Sequence, residues 1–88
     1  KHRVEIVTKG NYLKFSQNKK LRKQLLDTGD KILVEASSYD PIWGIGFSEK
    51  NAIRNREKWG LNLLGICLMN VRQKLRKEDN NKISQYFK

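Results

Sequence analysis

Apolar residues recur at helical spacing towards the end of the chain. Five of them follow one another at intervals of three or four residues: Leu61, Leu64, Leu68, Val71 and Leu75. This spacing puts them on one face of a helix, so the sequence predicts a long amphipathic helix over residues 61–76. Gly65 lowers helix propensity in the first turns, which indicates either close packing there or the close approach of a ligand.

Two shorter helices are predicted ahead of the long one. The first covers residues 4–16, although Gly10 weakens it by about 1 kcal/mol relative to alanine. The second covers residues 19–28, because Asn18 is a good N-cap and Gly29 is typical of the position that follows a helix. Each of the two helices carries apolar side chains near one face.

A short apolar run separates these helices from the long one. Ile32-Leu33-Val34 has the length and β-branched content of a buried strand, so a strand is predicted over residues 31–35. Residues 48–58 are polar and lack clear periodicity, which is typical of a surface loop with at most one helical turn. Residues 77–82 are also polar and are expected to fray. The apolar residues of the tail could dock back onto the domain: Ile83, Tyr86 and Phe87.

The stretch from residue 33 to 47 is the best candidate for a functional site. It combines two carboxylates, a large flat ring and a bare backbone: Glu35, Asp40, Trp43, Gly44 and Gly46. Pro41 after Asp40 keeps the turn stiff, because it holds the preceding residue away from the helical region. The glycines let another backbone segment or a ligand come close. Such a combination is typical of a binding pocket.

Each of these side chains also has a simpler structural interpretation. Glu35 is expected to be half-buried at the sheet edge, where it serves a site, caps nearby backbone N–H groups or pairs with a helix lysine. Asp40 taken alone favours an Asx turn. Trp43 and Trp59 are more often core residues than stacking platforms, because burial is the commonest use of an aromatic ring. Their glycine neighbours give the stacking interpretation somewhat more weight. Asn62 is an N-cap of the last helix, whose start, if exposed, could receive a phosphate.

The charge balance adds a question about partners. The chain has 88 residues, 19 Lys and Arg against 9 Asp and Glu, and a net charge of +10, which is compatible with nucleic acid. The excess lies on residues 1–30 and 61–88, however, where predicted helices need a solvated face. We therefore favour a generic helix surface over a basic rim for phosphorylated ligands. Lys14 lies between two apolar residues, Leu13 and Phe15, so a functional role for this lysine stays open.

Several classes of site are excluded by composition. Cys67 is the single cysteine, so an internal disulfide and a cysteine-based metal cluster are excluded. His2 is the single histidine and lies at the chain end, so no Ser-His-acid triad can be assembled. No metal or cofactor is expected. The chain has no apolar run of membrane-spanning length, and an intracellular, cytoplasmic location is the simplest inference.

Seven short motifs follow one another along the chain: Lys14-Phe15-Ser16-Gln17-Asn18, Leu25-Leu26-Asp27-Thr28-Gly29, Leu33-Val34-Glu35-Ala36-Ser37, Asp40-Pro41-Ile42-Trp43-Gly44-Ile45-Gly46, Trp59-Gly60, Asn62-Leu63-Leu64-Gly65 and Leu68-Met69-Asn70-Val71-Arg72. In this order they resemble a known family, the YbiA-like N-glycosidases of the NADAR superfamily. The resemblance covers roughly residues 3–76. It implies an α+β fold, mostly helical with a short small sheet and incomplete in this chain. Residues 1–77 would be the C-terminal half of the domain and residues 78–88 a polar tail. Family members carry a preceding half that would complete the pocket.

The resemblance also implies a chemistry, the hydrolysis of an N-glycosidic bond between a ribose and a base. Carried over by position, the pocket residues are Glu35, Asp40 and Trp43, with Gly44, Trp59 and Asn62 shaping it. Glu35 and Asp40 would be catalytic, because one carboxylate can stabilise positive charge on the ribose while another positions or deprotonates water. Attack by Lys14 on the anomeric carbon is an alternative.

The implied substrates are the ribosylamino-pyrimidine phosphates of riboflavin biosynthesis, or ADP-ribose linked to guanine, which would bring in nucleic acid. Two other hypotheses stay open. The chain could be a non-catalytic module that binds ADP-ribose-like ligands or nucleic acid. It could also be a half-domain that is active only with its missing N-terminal half or a partner chain.

Overall fold

A computed structural model describes the backbone of residues 2–86 and the side chains of residues 2–81. It contains four α-helices and one 3-10 helix, in this order: α1 (His2–Gln17), α2 (Lys19–Asp27), α3 (Glu49–Ala52), the 3-10 helix (Ile53–Lys58) and α4 (Leu63–Tyr86). Between α2 and α3 the chain is irregular, and this irregular stretch holds most of the candidate site.

The two short helices predicted from the sequence are confirmed. At the start of α2, the side-chain oxygen of Asn18 accepts a hydrogen bond of 3.1 Å from the amide of Leu21. At its end, Gly29 has a φ of 62° and its amide donates to the carbonyl of Leu26. Both ends therefore use the residue that the sequence pattern indicates for that position.

The core lies where α1 and α2 pack against α4. Leu25, Val71 and Leu75 are its buried centre. Five partly buried apolar side chains pack against them: Tyr12, Phe15, Leu26, Leu33 and Leu68. Cys67 is fully buried on the same helix, and its thiol lies 3.6 Å from the carbonyl oxygen of Val4. The apolar face predicted for the long helix is confirmed from Leu64 to Leu75, whereas Leu61 lies before the start of α4 and is 62% exposed.

Helix α4 extends further than predicted, since it continues to Tyr86 where fraying was expected after residue 76. Polar contacts hold this extension: the Tyr12 hydroxyl donates to Glu78, and Arg22 is paired with Asp79. Whether Ile83, Tyr86 and Phe87 dock back lies outside the described side chains. Although α4 has 24 residues, neither it nor any other described helix is apolar enough over such a length to cross a membrane.

The predicted small sheet is wrong, and with it the α+β fold class. Residues 2–86 contain no strand, and residues 31–35 are irregular although their sequence is typical of a strand. The physical reason is that the backbone of Leu33 and Glu35 forms hydrogen bonds with the side chain of Asn62 and not with a second strand. Residues 48–58 are also more regular than the predicted loop, because α3 and the 3-10 helix occupy them.

Candidate active site

Two backbone segments meet at Gly44, and they carry the two predicted catalytic residues. The amide of Gly44 donates to the carbonyl of Asp40 (3.2 Å), and the amide of Ile45 donates to the carbonyl of Glu35 (3.0 Å). A Cβ atom at position 44 would lie 2.7 Å from the Glu35 oxygen and 2.9 Å from the Asp40 oxygen. Gly44 therefore serves the close approach of backbone, and it brings the main chain at Glu35 and Asp40 together.

The turn at residues 40–46 is fixed from below by the segment that leads into α4. The amide of Gly60 donates to the carbonyl of Ile45 (2.8 Å), and the amide of Leu61 donates to the carbonyl of Pro41 (2.7 Å). Ile45 itself has no exposed surface. These backbone hydrogen bonds and the buried side chain of Ile45 connect the turn to the residues before α4.

Asn62 connects residues 31–35 to this turn through its side chain. Its Oδ1 accepts from the amide of Glu35 and its Nδ2 donates to the carbonyl of Leu33, both at 2.9 Å. A residue of a neighbouring parallel strand bonds in the same way to positions i−1 and i+1, so the carboxamide takes the place of such a residue. Asn62 is 9% exposed and has a φ of 52°, a conformation that asparagine tolerates better than most residues.

Asn62 lies at the predicted N-cap position, directly before α4, but its side chain does not cap the helix. Its backbone carbonyl accepts from the amide of Ile66 in the first turn of α4, while its side chain is used by Leu33 and Glu35. A phosphate was expected at the start of α4 only if that start was exposed. Asn62 is buried, so this expectation does not hold. In the structure, Asn62 fixes the backbone position of Glu35.

Asp40 has the Asx-turn role that its sequence context favours. One carboxylate oxygen, Oδ1, accepts from the amides of Ile42 and Trp43, each at 2.9 Å. The other carboxylate oxygen takes no part in these bonds. Asp40 is half-buried, and its main effect on the site is to set the direction in which Trp43 leaves the turn.

Glu35 is exposed, contrary to the expectation of a half-buried carboxylate at a sheet edge. Its backbone is fixed on both sides, by Asn62 at its amide and by Ile45 at its carbonyl. Its carboxylate makes no hydrogen bond or ion pair with any residue that the structure describes. A fixed backbone with a solvent-facing carboxylate leaves the charge available to a ligand.

The two tryptophans are both half-buried, and they differ in how they are held. Trp43 is anchored by its backbone, whose carbonyl accepts from the amide of Leu64 at 2.9 Å. Trp59 is anchored by its ring, because the indole N–H donates to the carbonyl of Ala52 at 2.8 Å. The guanidinium of Arg56 lies 4.2 Å from the centre of the Trp59 ring, a cation–π contact.

Arg56 was not anticipated as a residue of this region. It lies in the 3-10 helix, and Trp59 follows directly after the end of that helix. The 3-10 helix was not predicted, so no sequence signal pointed to this contact. Lys14, by contrast, is exposed on α1 with its ammonium 6.0 Å from the ring centre of Phe15. No hydrogen bond or ion pair of the described residues connects Lys14 to Glu35 or Asp40.

Two surface grooves of the described residues lie away from the candidate site. One of 440 Å³ runs between α1 and α4, and one of 380 Å³ surrounds the 3-10 helix. Neither is lined by Glu35, Asp40 or Trp43. These two grooves therefore do not include the exposed carboxylate of Glu35.

Comparison with known proteins decides the family. Residues 1–76 match the NADAR domain. The chain belongs to the NADAR family. It is 56% identical over 75 residues to an N-glycosidase of Acanthamoeba polyphaga mimivirus, in a match that covers 83% of this chain and 44% of the relative. An N-glycosidase of Nostoc punctiforme is 38% identical over 74 residues, covering 84% of this chain and 42% of the relative.

A plant relative carries a name from riboflavin biosynthesis. The chloroplastic riboflavin biosynthesis protein PYRR of Arabidopsis thaliana is 40% identical over 70 residues, which are 80% of this chain and 10% of that protein. The NADAR chain thus spans less than half the length of each of these three relatives. The family resemblance predicted from the seven motifs is confirmed.

Proposed function

We propose that this NADAR chain takes part in the hydrolysis of an N-glycosidic bond between a ribose, or ribose phosphate, and a base. The observation that carries the proposal is the 56% identity over 75 residues to a protein named an N-glycosidase. The exposed carboxylate of Glu35 on a fixed backbone supports it from the structure. The Nostoc punctiforme relative carries the same kind of name.

The reaction needs a negative charge beside the sugar. As the C–N bond breaks, its electron pair leaves with the base nitrogen and the anomeric carbon becomes positively charged. A carboxylate next to that carbon stabilises the charge, and the same group can orient the water whose oxygen forms the new bond. The proton that this water loses neutralises the departing base.

Within this scheme the two acids have different roles. Glu35 is the catalytic carboxylate, because its side chain is exposed and makes no contact with described residues that would occupy it. Asp40 acts mainly through its turn, since its Oδ1 already holds the amides of Ile42 and Trp43. Trp43 and Trp59 offer ring surface to the base, and Gly44 keeps the turn close to Glu35.

The proposed substrate is a ribosylamino-pyrimidine phosphate. The support is the name of the Arabidopsis thaliana relative, a riboflavin biosynthesis protein. ADP-ribose linked to guanine is the second proposed substrate. It would require the protein to bind nucleic acid, with which the net charge of +10 is compatible. Attack by Lys14 remains a less favoured route, because the structure shows no contact of Lys14 with the acids.

The test is base release from a ribosylamino-pyrimidine phosphate by the full-length protein and its variants. Glu35→Gln keeps the shape of the side chain and removes its charge, so kcat is expected to fall by about 10²-fold or more. Glu57→Gln is the matched control, since Glu57 is an exposed acid in the 3-10 helix, and its rate should equal the wild-type rate. Full activity of Glu35→Gln would remove Glu35 from the mechanism.

Asp40 needs a pair of variants, because its structural and chemical roles can be separated. Asp40→Asn keeps an Oδ1 that can accept from Ile42 and Trp43 but removes the charge. Asp40→Ala removes both. We expect most activity to survive in Asp40→Asn and to be lost in Asp40→Ala; equal and severe losses in both variants would show that the charge of Asp40 is catalytic.

A second candidate function is binding without catalysis, and the net charge of +10 favours it. In that case the full-length protein would bind ADP-ribose or nucleic acid and release no base. Its affinity for nucleic acid would also fall steeply with salt, because each phosphate contact releases counterions. Base release with weak salt dependence would favour the glycosidase.

A further inference from the structure

The groove around the 3-10 helix concentrates positive charge that the fold leaves unpaired. Its volume is 380 Å³, and its lining contains three basic residues and one acid: Arg54, Arg56, Lys58 and Glu57. The three basic side chains are exposed, and none of them forms an ion pair with a residue that the structure describes. Unpaired positive charges this close together favour a partner with several negative charges.

Two of these cations are held in place by neutral groups. Nη2 of Arg54 donates a hydrogen bond of 2.6 Å to Oδ1 of Asn51. The guanidinium of Arg56 lies 4.2 Å from the centre of the Trp59 ring. Neither contact neutralises the charge, and each of them reduces the side-chain entropy that is lost when a ligand binds. The two guanidinium groups are therefore arranged for an anion before it arrives.

The stack of Arg56 on Trp59 also offers a flat surface. The Trp59 ring is fixed, because its indole N–H donates to the carbonyl of Ala52 at 2.8 Å, and Arg56 beside it is exposed. Nucleobases stack on aromatic rings and on arginine guanidinium planes, and guanidinium N–H groups donate to phosphate oxygens. Ile53 lines the same groove and is 90% exposed, which adds apolar surface. The groove thus combines the two contacts that a nucleotide chain needs, charge and stacking.

An unpaired base fits this surface better than a duplex does. Inside a duplex each base is covered on both faces by its neighbours, whereas a single strand can turn a base out onto a side chain. An acidic peptide would pair with the cations as well, but its carboxylates would leave the stacking surface unused. The combination of charges and flat surface therefore favours single-stranded nucleic acid.

We propose that residues 53–59 bind single-stranded nucleic acid. Arg54 and Lys58 contact phosphates, and the stack of Arg56 on Trp59 lies against one unpaired base. The strand needs to carry no ADP-ribose, so this contact goes beyond the proposed hydrolysis and does not depend on it.

The experiment measures binding of a short labelled oligothymidylate to the full-length protein by fluorescence anisotropy at several salt concentrations. In the double variant Arg54→Gln, Lys58→Gln, the slope of log affinity against log salt should become shallower by about 1.4, because each phosphate contact with a single strand contributes about 0.7. The affinity at low salt should fall by about 10-fold or more. A wild-type protein without measurable binding would refute the proposal.

The double variant Lys19→Gln, Lys20→Gln is the matched control. Both lysines are exposed in the first turn of α2, they do not line this groove, and neither forms an ion pair with a described residue. The two double variants have the same net charge, so a difference between them reports the position of the lost charges. Equal losses of affinity would show that overall charge attracts the strand, and would overturn the proposal.

Arg56→Lys separates stacking from charge, because it keeps the positive charge and removes the planar group. The affinity for the oligothymidylate should fall several-fold with an unchanged salt slope, since the stacking contact with the base is lost. The affinity for a duplex of the same length should not change. A single-strand affinity equal to that of the wild type would show that no base stacks here, and would overturn the choice of a single strand.

Polyglutamate tests the alternative partner. It should displace the labelled strand far less well than unlabelled oligothymidylate does, and equal displacement would assign the groove to an acidic protein segment and refute the proposal. Base release from a ribosylamino-pyrimidine phosphate should keep its wild-type rate in the Arg54→Gln, Lys58→Gln variant. Failure of strand binding and failure of the proposed hydrolysis are therefore separate results.

Discussion

The carboxamide of Asn62 holds together the parts of the chain that form the candidate site. It satisfies the backbone of Leu33 and Glu35 where a strand was expected to find another strand. Since this pairing occupies both ends of the amide, a substitution at position 62 changes the position of Glu35 without touching the carboxylate. A substitution of Asn62 is therefore expected to change both the stability of the fold and the position of Glu35.

We predict that Asn62→Ala lowers the free energy of unfolding by about 2 kcal/mol, because one N–H and one C=O lose their partners in a partly buried place. The φ of 52° adds strain for alanine. Asn62→Gly loses the same two hydrogen bonds without that strain, so it should be more stable than Asn62→Ala by about 1 kcal/mol. Urea denaturation of the three proteins measures both differences. An Asn62→Ala protein as stable as wild type would show that water replaces the carboxamide at no cost.

At the scale of elements, two helical glycines that look alike in sequence have opposite surroundings. Gly10 lies in α1, and a Cβ atom there would meet nothing within 4 Å. Gly65 lies in the first turns of α4, and a Cβ atom there would be 2.2 Å from the carbonyl oxygen of Leu33 and 2.4 Å from Nδ2 of Asn62. The sequence indicated close packing or a ligand at Gly65, and the structure shows close packing.

Alanine substitutions should therefore change stability in opposite directions. Gly10→Ala should raise the free energy of unfolding by about 0.5–1 kcal/mol, because alanine has the better helix propensity and fits without contact. Gly65→Ala should lower it by about 1–3 kcal/mol, since backbone must move away from the new methyl group. Thermal and urea denaturation measure both. A stabilising Gly65→Ala would mean that α4 does not pack on Leu33 as described.

Periodicity was sufficient to predict α1, α2 and most of α4, and insufficient to predict α3, the 3-10 helix and the irregular stretch before them. The apolar stripe of α4 and the caps at Asn18 and Gly29 are local signals, so they could be read directly. The pairing of Leu33 with Asn62 joins residues that are 29 positions apart, and no local pattern reports it. The same holds for the candidate site, where the Asx turn of Asp40 was foreseeable and the exposure of Glu35 was not.

At the scale of the whole molecule, the second half of α4 is tied back to α1 and α2. The Tyr12 hydroxyl donates to Glu78, and this hydrogen bond raises the pKa of Tyr12 above its usual 10.0, with burial and the negative charge of Glu78 adding to the effect. A pKa that is raised in the folded state stabilises the fold below the unfolded value of 10.0. That stabilisation is lost as the pH rises through the higher folded value.

The contacts of Glu78 and Asp79 also concern the position at which the domain ends. The predicted boundary puts residues 78–88 in a tail, yet Glu78 and Asp79 bind Tyr12 and Arg22. We predict that a chain ending at residue 77 is less stable than the 88-residue chain, because it loses these two polar contacts. A tyrosine absorbance titration should show the late-titrating phenol moving to lower pH, and Tyr12→Phe should remove it.

The control is the 88-residue chain with Glu78→Gln and Asp79→Asn. These substitutions remove the acidic partners without shortening α4. If it matches the truncated chain in stability, the two contacts account for the loss, and the structural domain must include residue 79. A larger loss in the truncated chain would show that the helix beyond residue 79 adds packing of its own. A truncated chain with unchanged stability and an unchanged titration would instead keep the boundary at residue 77, because Glu78 and Asp79 would then contribute nothing to the fold.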